Sequence, residues 1–192
     1  MTDFNQRPPA TPAPLWLELD RAAGDPRHPW RTPALATADG SVRTVVLRSV
    51  EASRRELVFH TDLRSPKISA IAASPRVEWL FYHPGDGVQV RALADATVHA
   101  DNPIAEKTWR NVPPANRGNY QTVQPPGTPL RSTDEDLAPS PDTPDDGYRN
   151  FAVITTRVSR FDWLLLAPTG NLRSRFDFNA TADDYYTTPL TP

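Results

Sequence analysis

Apolar and polar residues along this chain alternate mostly with the period of two that is typical of β-strands. Residues 34–37 and 42–50 are β-prone runs on either side of an Asp39-Gly40 pair, which is a strong hairpin signal. The same alternation predicts further strands at residues 56–61, 77–82, 88–100, 151–156, 158–166 and 172–178. Helical patterns are short and fall at residues 15–23, 65–73 and 104–112. The tail after Ala180 shows no regular pattern.

The order of these elements predicts a mainly β protein with a few short helices. Few strands are separated by a full-length helix, which argues against a doubly wound parallel sheet. Antiparallel hairpins that close into a small barrel, with Greek-key-like connections, fit the pattern better.

Proline divides the chain into patterned and unpatterned parts. The 22 prolines are concentrated near the N-terminus and in residues 113–150, where proline removes backbone donors and disfavours helix and sheet. We therefore expect one domain over residues 1–192, with a loose leader at 1–14 and a Pro-rich excursion at 113–150.

Composition excludes several classes of function. A formal net charge of −2 gives no global electrostatic reason to expect a nucleic-acid or membrane partner. The absence of cysteine removes disulfides, thiolate metal sites and cysteine catalysis. No signal peptide or membrane span is visible. These features predict a soluble, cytoplasmic protein.

The strongest candidate site lies where the strand at 56–61 meets the helix at 65–73. Ser65 suits an N-cap, because its hydroxyl can accept an unpaired first-turn N–H, and Pro66 suits the first helical position. A helix start carries partial positive charge and free donors, so it readily accepts an anion. Lys67 adds a full charge. The sequence therefore predicts a phosphate-binding corner here.

Two arginines on the preceding strand pattern extend this corner. Arg43 and Arg48 are five residues apart, so on a regular strand they face opposite sides. A bulge or a twisted edge is needed for both to reach one ligand. The alternative is that they are ordinary solvated strand charges.

Two weaker candidates lie on other strands. Gln89 and Arg91 share one strand face, and an amide that both donates and accepts suits the edge of a heteroaromatic ring. Arg173 and Arg175 also share a face and form a candidate second anion site. On spacing alone, ordinary surface polarity is the better explanation of both pairs.

The chain shows no sign of catalysis by its own metal or nucleophile. Its four histidines have no metal-ligand spacing, and the glycine-rich and nucleophile motifs of common enzymes are missing. Any chemistry here should therefore be carried by a cofactor.

Three motifs, taken in order, resemble the FMN-binding core of the pyridoxamine 5'-phosphate oxidase family. They are RTVVLR at residues 43–48, FHTD at 59–62 with SPK at 65–67, and VQVR at 88–91. The family patterns read roughly R-x-V-L-L-[KR], F-[YF]-T-[ND]-x-x-S-x-K and R-Q-V-R. A looser resemblance runs from Phe161 to Phe176. The resemblance implies a split β-barrel homodimer with FMN at the subunit interface.

The resemblance also implies roles for individual residues. The FMN phosphate end would be held by Arg43, Arg48, Ser65 and Lys67. Thr61 and Gln89 would address the isoalloxazine or ribityl part, and Arg175 matches the final family arginine near the flavin. The implied cofactor-binding set is Arg43, Val45, Arg48, His60, Thr61, Ser65, Lys67, Gln89 and Arg175.

The chain departs from the family pattern at several positions. His60 replaces an aromatic residue, and Pro66 replaces an arginine that normally precedes the lysine. The family's R-x-H pair, which binds substrate, appears here as Asn171 and Arg173, so the histidine is missing. FMN is thus the expected cofactor, while oxidation of vitamin B6 phosphates is in doubt.

The predicted function is an FMN-binding flavoprotein, an oxidoreductase acting on an unidentified small molecule. Genuine pyridoxamine or pyridoxine 5'-phosphate oxidase activity is one alternative. Others are a non-catalytic flavin or haem carrier and a deazaflavin-dependent reductase. No substrate-specific catalytic residue follows from the sequence.

Overall fold

A computed structural model describes residues 7–129, 147–180 and 184–192, and within these ranges it contains four α-helices and nine β-strands. The helices are α1 Ala13–Gly24, α2 Pro66–Ala73, α3 Pro103–Arg110 and α4 Pro114–Arg117. The strands are β1 Ala34–Thr37, β2 Val42–Thr44, β3 Ser49–Glu51, β4 Glu56–Asp62, β5 Arg76–His83, β6 Val88–His99, β7 Phe151–Leu165, β8 Leu172–Phe178 and β9 Tyr185–Leu190. Short 3-10 helices lie at Pro29–Arg31, Ala52–Arg54, Gly118–Tyr120 and Gly147–Asn150.

All strand pairs are antiparallel, in the order β2-β1-β5-β6-β7-β4-β3, and β8 and β9 extend from β7. The long strand β7 pairs with β6 along one side. On its other side the first half pairs with β4 and the second half with β8. The fold class predicted from the sequence is confirmed. The expected closure is wrong, because the hydrogen-bonded order ends openly at β2 and β3.

The prediction of one strand over residues 42–50 is wrong, because the chain changes edges of the sheet within this segment. β2 pairs with β1, whereas β3 pairs with β4 at the far end of the order. Between them, Val45 N donates to Pro33 O at 3.0 Å and Leu47 N donates to Arg31 O at 2.9 Å. This segment therefore connects the two open ends of the sheet.

The expected separate strands at 151–156 and 158–166 form the single strand β7. Its register with β6 shifts, since Leu93 faces Arg160 while Ala94 faces Val158. Ser159 is thus the extra residue of a β-bulge, which bends a strand without ending it.

The expectation of an irregular tail after Ala180 is also wrong, because β9 pairs with β8. Pro189 lies opposite Ser174 within this pairing. Proline is tolerated on an edge strand, where its missing N–H need not serve a further neighbour. The proline in this segment therefore does not prevent a strand.

The helices agree well with their sequence patterns. α1 ends at Gly24 and buries Leu15, Trp16 and Leu19. α3 is capped by Asn102, whose side-chain oxygen accepts from the N–H groups of Ile104 and Ala105 at 3.1 and 3.0 Å. None of the helices in the described ranges combines the length and apolar character that a membrane span requires.

Two hydrophobic clusters hold these elements together. In the main core, Trp79 stacks on Phe81, meets Phe59 edge-on, and donates its indole N–H to Thr156 Oγ1 at 3.1 Å. A smaller cluster attaches α3 and the following segment to β7, and consists of Trp109, Val112, Tyr120, Phe151 and Val153. The loose leader predicted at 1–14 overlaps the start of α1. Of the Pro-rich excursion, residues 130–146 lie outside the described ranges.

Candidate functional site

The predicted phosphate-binding corner forms where β4 leads into α2. Lys67 Nζ donates to Thr61 Oγ1 at 2.9 Å and to Ser65 Oγ at 2.7 Å. Both hydroxyl residues are buried, at 7% and 5% exposure. The ammonium group is therefore held in a fixed position beside the N-terminus of α2.

The charge of Lys67 is not neutralised by a direct ion pair within the described ranges. Burial lowers the pKa of Lys67, the nearby charge of Arg43 lowers it further, and Asp62 partly opposes both. Arg43 itself donates to Thr37 Oγ1 at 2.8 Å. An anion placed beside these two cations would relieve their repulsion.

Ser65 occupies the N-cap position of α2, as predicted, but its hydroxyl makes no capping hydrogen bond. The expectation that this hydroxyl accepts a first-turn N–H is wrong, because it accepts from the Lys67 ammonium instead. The Ser65 carbonyl accepts from Ile68 N at 2.9 Å. The side chain thus orients Lys67 rather than closing the helix end.

An ion pair ties the corner to the segment that follows α4. Arg64 donates from Nε to Asp62 Oδ1 at 3.0 Å and from Nη2 to Asp62 Oδ2 at 2.7 Å. Its Nη1 also reaches the carbonyl oxygens of Thr122 and Val123, at 3.0 and 3.2 Å. Asp62 is therefore paired with Arg64. The contacts of Arg64 also place the segment of residues 120–127 beside the corner.

A cavity of about 660 Å³ opens on the other face of β4, between the sheet and α3. Val58 and His60 point towards it, whereas Leu57, Phe59 and Thr61 face inward, as strand alternation requires. Its lining consists of Arg31, Arg48, Ser49, Val58, His60, Ile104, Lys107, Thr108, Asn111, Val112, Pro113, Asn116, Tyr120, Val153 and Thr155.

Burial is the largest cause of the pKa shifts of the groups in this cavity, and the charge of Arg48 acts on each of them as well. Burial, reinforced by the charge of Arg48, lowers the pKa of His60 to about 4, so the imidazole is neutral at physiological pH. The pKa of Arg31 is lowered by burial and by Arg48. Burial raises the pKa of Tyr120, which lies within electrostatic reach of both Arg48 and Asp62. Tyr120 is thus the residue that links the cavity to the corner.

The remaining predicted residues lie on the outer face of the sheet. Gln89 and Arg91 share this face of β6, as the alternation predicted. Arg91 and Arg173 both donate to Asp162, at distances of 2.7–2.9 Å. Burial alone would raise the pKa of Asp162, but the hydrogen bonds and charges of the two arginines outweigh it, and the pKa lies below its usual value.

Arg175 and Asn171 have partners close in sequence. Arg175 Nε donates to Asp177 Oδ2 at 2.6 Å, and Arg160 reaches the same carboxylate. Asn171 Oδ1 accepts from Ala167 N at 3.2 Å and closes the turn before β8. Asn171, Arg173 and Arg175 are therefore all engaged in contacts within the chain.

Comparison with known families shows which proteins this chain is similar to. Residues 14–100 match the family model described as pyridoxamine 5'-phosphate oxidase, FMN-binding domain. This segment is therefore similar to that family of FMN-binding domains. It contains the corner, Arg48 and Gln89, whereas Asn171, Arg173 and Arg175 lie beyond it.

A curated relative and two solved structures extend the comparison. Pyridoxine/pyridoxamine 5'-phosphate oxidase from Kineococcus radiotolerans is 45% identical over 73 residues, which are 36% of this chain and 32% of that protein, so the chain spans about a third of its length. A pyridoxamine 5'-phosphate oxidase-related, FMN binding protein from Nostoc punctiforme has a TM-score of 0.75 and 24% identity, covering 93% of this chain and 94% of that one. PhzG from Burkholderia lata, in complex with tetrahydrophenazine-1-carboxylic acid, has a TM-score of 0.71 and 21% identity, covering 100% and 98%. The two structures share the fold of this chain, so the predicted fold class is confirmed, although the sheet of this chain is not closed.

Eight of the nine FMN-binding residues predicted from the sequence fall into three groups. The first contains Arg43, Thr61, Ser65 and Lys67 at the corner. The second, Arg48 and His60, lines the cavity, and the third, Gln89 and Arg175, lies on the outer face. Val45 contributes its side chain to the main core. Arg43 and Arg48 are separated because β2 ends at Thr44, and Arg48 lies in the connection that leads to β3 at the other end of the sheet.

Sequence reasoning missed three residues that shape these sites. Asp62 and Arg64 form the ion pair at the corner. They lie on either side of Leu63 in the sequence, and this order alone does not indicate that they pair. Arg31 lies in a Pro-rich stretch without periodicity, so only the fold brings it to Arg48. The adjacent cavity could not be derived from spacing.

Proposed function

We propose that this chain is an FMN-dependent oxidoreductase that acts on a small molecule. The observation that carries the proposal is the Lys67 ammonium, fixed by Thr61 and Ser65 beside the start of α2 within the matched FMN-binding domain. Arg43 supplies a second positive charge there. Lysine, hydroxyl groups and a helix start are donors that suit a phosphate.

FMN, when bound, supplies the redox centre, and the protein supplies binding, orientation and electrostatics. Arg43, Ser65 and Lys67 would hold its phosphate end. Asp62 is kept from competing with that phosphate by its ion pair with Arg64. The cavity lined by His60 and Tyr120 would hold the substrate, since its size falls in the usual range for small-molecule sites.

The first experiment is to identify the cofactor of the purified protein. We expect a yellow protein with two flavin absorption bands, and mass spectrometry of the extract should show FMN. A colourless protein that takes up no added FMN would refute the proposal. Extraction of haem or a deazaflavin instead would favour the carrier or the deazaflavin-dependent reductase.

We also propose that two copies of the chain assemble around the cofactor. Gln89 and Arg175 lie on the outer face of the sheet, away from the corner and the cavity, so a second copy is needed to bring such residues to the site. The same face carries Leu80 and Tyr82, at 39% and 45% exposure, which contact with a second chain would cover.

Light scattering during size-exclusion chromatography tests this assembly. The expected mass is twice the 21.4 kDa of one chain. Replacing Tyr82 by Arg should shift the protein towards the monomer, because a charge would have to be desolvated in the interface. A wild-type protein that elutes as a monomer in the presence of FMN would contradict the proposal.

Pyridoxine 5'-phosphate oxidase activity is the second candidate, favoured by the 45% identity with the curated relative over 73 residues. Against it, Arg173 is held by Asp162 and Asn171 closes a turn. Formation of pyridoxal phosphate and hydrogen peroxide from pyridoxine phosphate would establish this activity.

A further inference from the structure

Arg31 and Arg48 bring two positive charges to one wall of the cavity. The carbonyl of Arg31 accepts from Leu47 N at 2.9 Å, which places the residue beside the segment that carries Arg48. Both residues line the cavity. Burial lowers the pKa of Arg31, and the nearby charge of Arg48 lowers it further. Like charges in a partly buried wall destabilise each other unless an anion lies between them.

Neither arginine has an acidic partner in the part of the chain that the structure describes. Arg48 Nε is buried and makes no hydrogen bond there. Arg31 donates from Nη1 to the carbonyl of Ala23. A guanidinium has five donor hydrogens, so most of this capacity remains for a ligand. Among the described residues that line the cavity, moreover, there is no aspartate or glutamate.

Apolar side chains form much of the remaining lining of the cavity. Val58 and Val153 come from the sheet, Ile104 and Val112 from the region of α3, and Tyr120 adds an aromatic ring. A ligand that fits must therefore join one anionic group to an apolar framework.

Backbone donors contribute little to the recognition of an anion in this cavity. Pro113, which precedes α4, lines the cavity and has no N–H to offer. Asn116 N is occupied by Pro113 O at 2.8 Å. The corner at α2 differs, because hydroxyl groups and a helix start surround Lys67 there. Recognition of an anion in the cavity therefore depends mainly on the two guanidinium groups, whose planar, forked geometry matches a carboxylate.

We propose that Arg31 and Arg48 together bind the carboxylate of a largely apolar small molecule in the cavity behind β4. This assignment deepens the proposed function, on which it rests for the view that the cavity is a substrate site. His60, neutral in this environment, offers one ring nitrogen as donor or acceptor to a polar group on the same molecule. The carboxylate and the FMN phosphate would thus bind to different residues, the first to the two arginines of the cavity and the second to the corner at α2.

Calorimetric titration with 1-naphthoate, on the protein as purified with its cofactor, tests the proposal. The uncharged analogue 1-naphthamide has nearly the same shape. We expect naphthoate to bind and the amide to bind more weakly by about tenfold or more. Arg31→Gln should weaken naphthoate binding by about tenfold or more, and should leave the amide unaffected, because only the carboxylate uses the guanidinium.

Arg27→Gln is the matched control, since Arg27 is exposed in the same loop and lines no part of the cavity. It should bind naphthoate like the wild type. Equal binding of acid and amide, or unchanged naphthoate binding in Arg31→Gln, would overturn the proposal. So would 1-naphthyl phosphate binding more tightly than naphthoate with the same dependence on Arg31, because the preferred ligand would then be a phosphate.

The flavin content of each sample separates this proposal from the proposed function. Naphthoate binding that depends on Arg31 in a protein that takes up no FMN would support the carboxylate site and refute the flavoprotein. A protein that retains FMN but does not distinguish the acid from the amide would refute the carboxylate site alone.

Discussion

Acidification from about pH 6.5 to about pH 4 should remove about 2–3 kcal/mol of the free energy of unfolding through His60 alone. The pKa of this imidazole falls to about 4 in the folded chain, because of burial and then the charge of Arg48. An unfolded histidine titrates near pH 6.5. Between these values the unfolded state binds more protons, so stability rises with pH through this window and is lost as pH falls.

Denaturant unfolding of the wild type and of His60→Gln, at several pH values between 4 and 8, measures this contribution. Glutamine keeps a polar side chain but does not titrate in this range. The difference between the two proteins should be constant above about pH 7 and should change in favour of the variant below it. Parallel curves down to pH 4 would show that His60 is not buried beside Arg48 as described.

Lys67→Ala should weaken FMN binding by about 1–3 kcal/mol, the range for a lost charge-assisted hydrogen bond. Thr61 and Ser65 hold the ammonium in place before any ligand arrives, so little ordering is needed on binding. Its removal also leaves two buried hydroxyl groups without their donor. Fluorescence titration of the apoprotein with FMN measures the change.

Arg76→Ala is the control for this variant, because it removes the same charge from the first residue of β5. Arg76 is an exposed partner of Asp95, at 3.4 Å, and takes no part in the corner. Its FMN affinity should match that of the wild type. An FMN dissociation constant unaltered by Lys67→Ala would remove Lys67 from the site.

Local sequence signals predicted the elements that depend on local contacts. The Asp39-Gly40 turn, the alternation in β6 and the Ser-Pro start of α2 each follow from the preferences of a few neighbouring residues. The corner could therefore be located before the fold was known.

Features set by distant contacts could not be predicted in this way. The break in the strand at residues 42–50 arises because β2 and β3 pair with opposite ends of the sheet. β9 forms because it can pair with the free edge of β8. Its sequence alone predicts a strand only weakly, because it contains Pro189. Arg31 lies in a 3-10 helix and Arg48 in the connection between β2 and β3. No periodic pattern in the sequence indicates that the two residues line the same cavity.

The most direct test of the central claim, that the α2 corner holds the phosphate of FMN, compares FMN with riboflavin, which lacks that phosphate. Affinities for both ligands are measured in the wild type, Arg43→Ala and Lys67→Ala. The wild type should bind FMN more tightly than riboflavin. Each variant should lose affinity for FMN and keep its affinity for riboflavin, so the difference in affinity between the two ligands should become smaller. Equal losses for the two ligands would contradict the claim, because they would show that the corner does not contact the phosphate.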